Sequence, residues 1–234
     1  MIKQTLFAAA LLLSATSARA DMLADCQQTA DRAKAITACT ALAKDAGRDA
    51  AKTTAAYAGR ASAQQANGNL REALSDMKWA LAADSKNASL WLQRANIRAG
   101  LDQKYRAGAD YSIALRYDPK NVAAYIGRGE IYRKLGALPK AVADASEALK
   151  LDPKSAPAYA NRGYAQLRLG KTAEAAKDAD EALKLDPKST VAYLTRGLAQ
   201  EKTDKAKAVA DLKKALELDA KNTVASDALK RLGG

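Results

Sequence analysis

Laid against itself, the chain repeats every 34 residues, and this period constrains its fold more than any other property. Tyr57, Trp91, Tyr125, Tyr159 and Tyr193 are in phase, and so are Arg60, Arg94, Arg128, Arg162 and Arg196. The residue after each arginine is small: Ala61, Ala95, Gly129, Gly163 and Gly197. In the second half of each unit Ala73, Ala107, Ala141, Ala175 and Ala208 align, followed by Ala80, Ala114, Ala148, Ala182 and Ala215. From Tyr159 to Pro187 one unit reads as an amphipathic helix, a turn and a second helix. Asp118-Pro119, Asp152-Pro153 and Asp186-Pro187 end three units, because proline cannot continue a helix. Asp84-Ser85 and Asp219-Ala220 are weaker versions of the same stop. The fifth unit is one residue short, a loss that a turn tolerates more easily than a packed helix.

Over roughly residues 54 to 222 these positions make the sequence resemble the tetratricopeptide repeat (TPR) family. The family pattern has a large residue in the second helix, met by Met77, Tyr111 and Leu212 but by Ala145 and Ala179 in the third and fourth units. Those two hairpins are expected to pack more closely or less stably. The tyrosine of the first helix survives only as Tyr132. The resemblance implies an all-α fold, a right-handed superhelical solenoid of antiparallel helix hairpins. The repeats would span 54–87, 88–121, 122–155, 156–189 and 190–222. An N-terminal helical segment with a cysteine pair (21–53) and a C-terminal capping helix (223–234) would flank them.

Where the family has leucine, this chain has arginine in all five units, on the stripe that should be buried. A second recurring residue accounts for it: Asp76, Asp110, Asp144, Asp178 and Asp211. Arg162 lies eight residues before Gly170, which marks the turn, and Asp178 eight residues after it. Residues equidistant from the turn of an antiparallel hairpin face each other. Arg196 and Asp211 are fifteen apart rather than sixteen, as a deletion in the turn requires. The spacing therefore predicts a partly buried Arg–Asp ion pair across each hairpin. A row of arginines lining a groove for an anionic ligand is the competing reading, and the matching aspartates argue against it.

The ends read differently. Lys3, the apolar run Thr5 to Leu13 and Ala18-Arg19-Ala20 form a secretory signal, with cleavage expected between Ala20 and Asp21 and a periplasmic or secreted product. Cys26 and Cys39 are the only cysteines, and in an oxidising compartment they are expected to form a disulfide. "RAKAITACTALAKD" resembles the second helix of a unit, and "TVASDALKRLGG" a cap. Trp79 and Tyr105 fall outside the repeating core positions, as exposed contacts or packed on the N-terminal segment.

Histidine is absent, which removes the commonest general base and the commonest transition-metal ligand. The sequence offers no nucleophile–base pair, Gly-rich phosphate loop or metal-ligand cluster, so a non-enzymatic protein without a cofactor is expected. The formal charge of +12 includes Lys3 and Arg19 of the signal. The excess fits attraction to an acidic partner or simply a solvated helical surface. The resemblance implies a concave groove lined by first helices, including Asn96, Glu130, Arg133, Lys134, Tyr164, Arg168, Leu198 and Lys202. Such a groove suits a peptide with an apolar anchor and an acidic group. The expected function is an adaptor of the cell envelope that binds a protein or peptide as a monomer, with no nucleic acid and no transmembrane segment. The alternative is a binder of anionic envelope polymer.

Overall fold

The protein is described by a computed structural model over residues 21–28 and 30–233; the signal expected over 1–20 lies outside the described residues. Among the described residues every regular element is a helix. The chain divides between Tyr117 and Asp118 into two compact units. The first holds helical residues 21–27 (α1), α2 (Arg32–Asp45), α3 (Ala50–Ala66), α4 (Leu70–Ala83), α5 (Ala88–Gly100) and α6 (Lys104–Tyr117). The second holds α7 (Val122–Lys134), α8 (Leu138–Leu151), α9 (Ala156–Arg168), α10 (Thr172–Leu185), α11 (Thr190–Gln200), α12 (Lys205–Leu218) and α13 (Thr223–Leu232). In each unit successive helices pair as hairpins, α3 with α4 and α5 with α6, then α7 with α8, α9 with α10 and α11 with α12. No described helix is long and apolar enough to cross a membrane.

Helix ends follow local chemistry. Asp31, Asp49, Asn87, Asn121, Ser189, Asp204 and Asn222 each accept a hydrogen bond from a backbone N–H of the first turn they precede. Asp49 caps α3 at Ala50, although α5, α7, α9 and α11 begin at 88, 122, 156 and 190. The first helix is thus one turn longer than the period predicts, and the boundary expected at 53/54 falls inside it. The turns after α3, α7 and α9 each use a left-handed glycine, Gly68, Gly136 and Gly170, at φ of 83°, 74° and 81°. The turn after α5 has Asp102 at the same place, with φ 56°. In the last hairpin the missing residue falls between α11 and α12, and α11 has 11 residues where α9 has 13.

Small residues set how closely the two helices of a hairpin approach. In the fourth repeat Gly163 faces Ala179, and both are buried. A Cβ added to Gly163 would stand 3.1 Å from the Ala175 carbonyl oxygen and 3.1 Å from the Asp178 Cβ. The approach is not confined to the alanine hairpins: a Cβ on Gly197, opposite Leu212, would stand 3.2 Å from the Ala208 carbonyl oxygen, and one on Gly129, opposite Ala145, 3.6 Å from that of Ala141. In the first repeat Met77 fills the equivalent place opposite Ala61, and neither is accessible to solvent. At the far end α13 lays Ala225, Ala228 and Leu229 over a cluster of Tyr164, Leu194, Leu212 and Ala215.

Cys26 of α1 and Cys39 of α2 form a disulfide. It packs on α3, where a Cβ on Gly59 would come within 2.8 Å of Cys26 Sγ and 3.1 Å of Cys39 Sγ. Glycine at 59 is what lets the disulfide rest on the helix. Trp79 stacks on Tyr57 of its own hairpin, ring centroids 6.0 Å apart, and stays 53 % exposed. Tyr105 is 81 % exposed.

Candidate functional site

Each in-phase arginine lies on a first helix, and each in-phase aspartate lies across the hairpin on the second. The carboxylate is gripped by two parallel hydrogen bonds, one from Nε and one from Nη2. Arg60 meets Asp76 at 2.9 and 2.7 Å, and Arg94 meets Asp110 at 2.9 and 2.9 Å. Arg128 meets Asp144 at 2.8 and 2.8 Å, and Arg162 meets Asp178 at 2.7 and 2.8 Å. Arg196 meets Asp211 at 2.7 and 2.9 Å. The five aspartates are buried, while the arginine side chains keep 17 to 26 % of their surface exposed. The in-phase aromatic of each first helix lies against the guanidinium, at 5.3, 4.5, 5.8, 5.5 and 5.8 Å from ring centroid to Cζ. Arg60, Arg128, Arg162 and Arg196 are pushed above the ordinary arginine pKa, first by the hydrogen bonds to their aspartates.

Bonds beyond the periodic pairing include two to carboxylates. Arg98 Nη1 donates to Asp110 Oδ2 at 2.6 Å, so that carboxylate carries two guanidinium groups. Burial is the main reason the Arg98 pKa is lowered. Arg196 Nη1 donates to Asp180 Oδ1 at 2.9 Å and so joins two successive hairpins. Both were findable only as departures from the period. Position 98 is the one cation among Gln64, Tyr132, Gln166 and Gln200.

The cations expected in the groove behave differently from the paired row. Arg133 stands in the last turn of α7, and its guanidinium carbon lies 5.0 Å from the centroid of the Tyr164 ring on α9. Its Nε is buried without an acceptor among the described residues. Arg168, at the end of α9, is exposed and among the described residues donates to the Tyr164 hydroxyl, Nη1 to Oη 3.4 Å. Lys202, just past α11, is exposed, and none of its interactions is with a carboxylate of the described residues. Lys134 is held by Glu130 at 2.8 Å, and Glu201, next to Lys202, by Arg231 at 2.8 Å. Lys134, Arg168 and Lys202 are one column of the 34-residue period. Helices α7 and α9 are in contact, and so are α9 and α11, so the three cations belong to one face of the second unit.

Three residues expected in the groove are engaged within the chain. Tyr164 is only 8 % exposed and belongs to the core, where its ring supports Arg133. Leu198 packs against the same cluster. Asn96 lies in the first unit and accepts a hydrogen bond from the Tyr111 hydroxyl at 2.7 Å. Their position on a first helix was readable in the sequence; the neighbours that fill them were not. No group of three or more His, Cys, Asp or Glu that could hold a metal occurs among the described residues.

Family models place this geometry among known proteins. A model described as TPR repeat matches residues 129–170, and two described as tetratricopeptide repeat match 156–189 and 192–222. Among curated proteins none matches. Solved structures do match. YrrB, described as a TPR protein with an unusual peptide-binding site, is 22% identical at a TM-score of 0.63, over 82% of this chain and 97% of its own. The pilF protein of Pseudomonas aeruginosa is 20% identical at 0.66, over 80% and 85%. MamA from Desulfovibrio magneticus RS-1 is 20% identical at 0.63, over 73% and 97%. At these identities the structures show a shared fold.

Proposed function

The chain belongs to the tetratricopeptide repeat family, and on that premise we propose that it is a non-enzymatic scaffold that binds a protein or peptide on the α7–α9–α11 face of its second unit. One observation carries the reading. Every arginine of the repeat row is tied to a carboxylate, whereas Arg133, Arg168 and Lys202 on the neighbouring face meet none among the described residues. Arg168 and Lys202 are exposed, so a ligand carboxylate can reach charges that no carboxylate of the described residues answers. The peptide-binding site ascribed to YrrB agrees with this use of the fold. The export signal expected at residues 1–20 supports action in the periplasm or outside the cell.

Affinity capture from cell-envelope extract tests the reading. The mature chain is the bait, beside a variant with Arg133, Lys134, Arg168 and Lys202 changed to serine. One protein retained by the wild type at moderate salt and lost by the variant is the expected result. Diffuse retention that disappears with salt equally fast for both baits overturns the proposal in favour of an anionic envelope polymer.

A further inference from the structure

The free cations of the second unit are arranged in a register that a partner can read. Arg133 and Arg168, from adjacent first helices, converge on one residue. The first lies over the Tyr164 ring at 5.0 Å and the second within 3.4 Å of its hydroxyl. Tyr164 is itself fixed in the core, so the two guanidinium groups flank a rigid support. Lys202 stands one hairpin further along, at the Arg168 position of the next repeat. Packed helix axes lie about 8–10 Å apart, and a chain extended in the polyproline II conformation advances about 3.1 Å per residue with three residues per turn, so that side chains three apart share one face. Three residues of extended peptide therefore span one hairpin step. The acidic residues nearest this face do not neutralise it, because Glu130 is spent on Lys134 and Glu201 on Arg231.

We propose that this face takes an extended peptide segment with two acidic side chains three residues apart, the first between Arg133 and Arg168 and the second at Lys202. The inference rests on the scaffold reading above and adds the chemistry of the partner. A free C-terminal carboxylate would satisfy only one of the two places. A polyanion would engage both but without register.

The test is fluorescence anisotropy on the mature chain with a labelled peptide, capped at both ends, that carries two glutamates three positions apart. A second peptide of the same composition has the glutamates adjacent, and inorganic polyphosphate is the third probe. The spaced peptide is expected to bind at moderate salt at least about tenfold more tightly than the adjacent one. Arg168→Gln and Lys202→Gln are each expected to weaken it about tenfold or more. Lys177→Gln, on α10, should leave binding unchanged. Arg133→Gln disturbs the packing on Tyr164, so the two exposed positions carry the test, with helical content checked for each. Equal affinity for the two peptides, no effect of Lys202→Gln, or binding of polyphosphate alone overturns the proposal. If the four-site variant loses an envelope partner while neither peptide binds, the acidic register is wrong and the scaffold reading survives. If both experiments fail, both proposals fall.

Discussion

A guanidinium on the buried side of a helix is costly unless its charge is matched where it sits. In this chain each is held between an aromatic ring and a bidentate carboxylate, so the hydrogen bonds lost to water are remade inside the hairpin. The pair need not add net stability, but half of it is a liability. Asp144→Ala and Asp178→Ala are each expected to cost about 3–5 kcal/mol, read as a fall in the thermal midpoint, because each strands a half-buried arginine. Replacing Arg162 and Asp178 together by leucine should cost clearly less than Asp178→Ala alone. Unchanged midpoints in the two single variants would mean that water already reaches these arginines well enough to replace the carboxylate.

At the scale of the helix and its turn, the repeat supplies its own controls. Gly68, Gly136 and Gly170 take the left-handed conformation that ends a first helix, and Asp102 takes it with a side chain attached. Asp102→Gly should therefore raise stability by about 0.5–1 kcal/mol, measurable by urea unfolding. The opposite holds at Gly163, where an added methyl meets the Ala175 carbonyl and the Asp178 Cβ at 3.1 Å. Gly163→Ala should destabilise by about 1–3 kcal/mol, since a main-chain atom is among those that must shift. Cys26→Ser with Cys39→Ser removes the link that seats α1 on α3, worth about 3 kcal/mol for a loop of this size. Hydrogen exchange should show that loss as faster opening of α1 and α2, with the second unit unchanged. Two features of this scale escaped the sequence: the extra turn of α3, and the second guanidinium on Asp110. A cap acts on the few residues beside it, and a lone cation off the period has no partner until the helices are paired.

For the molecule as a whole, each unit is a short array of hairpins in which every element touches few others, so damage at an end is not shared widely. Leu229 of α13 is buried over Tyr164, Leu194 and Leu212. Leu229→Ala should cost about 2–5 kcal/mol in the second unit. Because Tyr164 supports Arg133, the same change should also weaken peptide binding on a face it does not touch. Retained affinity at a lowered melting temperature would show that the cationic face is independent of the cap.

The 34-residue period by itself determined the helix hairpins, their turns and which arginine opposes which aspartate. Those properties depend on distance along the chain from a turn, and such distances are written in the sequence. The family resemblance made every first-helix residue beside the core an equal candidate for the groove. Only the tertiary structure shows which of them are engaged within the chain: Tyr164 is buried, Asn96 bonds to Tyr111 and Lys134 is held by Glu130. Arg133 and Arg168 meet a tyrosine and no carboxylate among the described residues. Whether a charge is spent or free depends on neighbours that only packing brings together, across helices and at a range of a few ångströms.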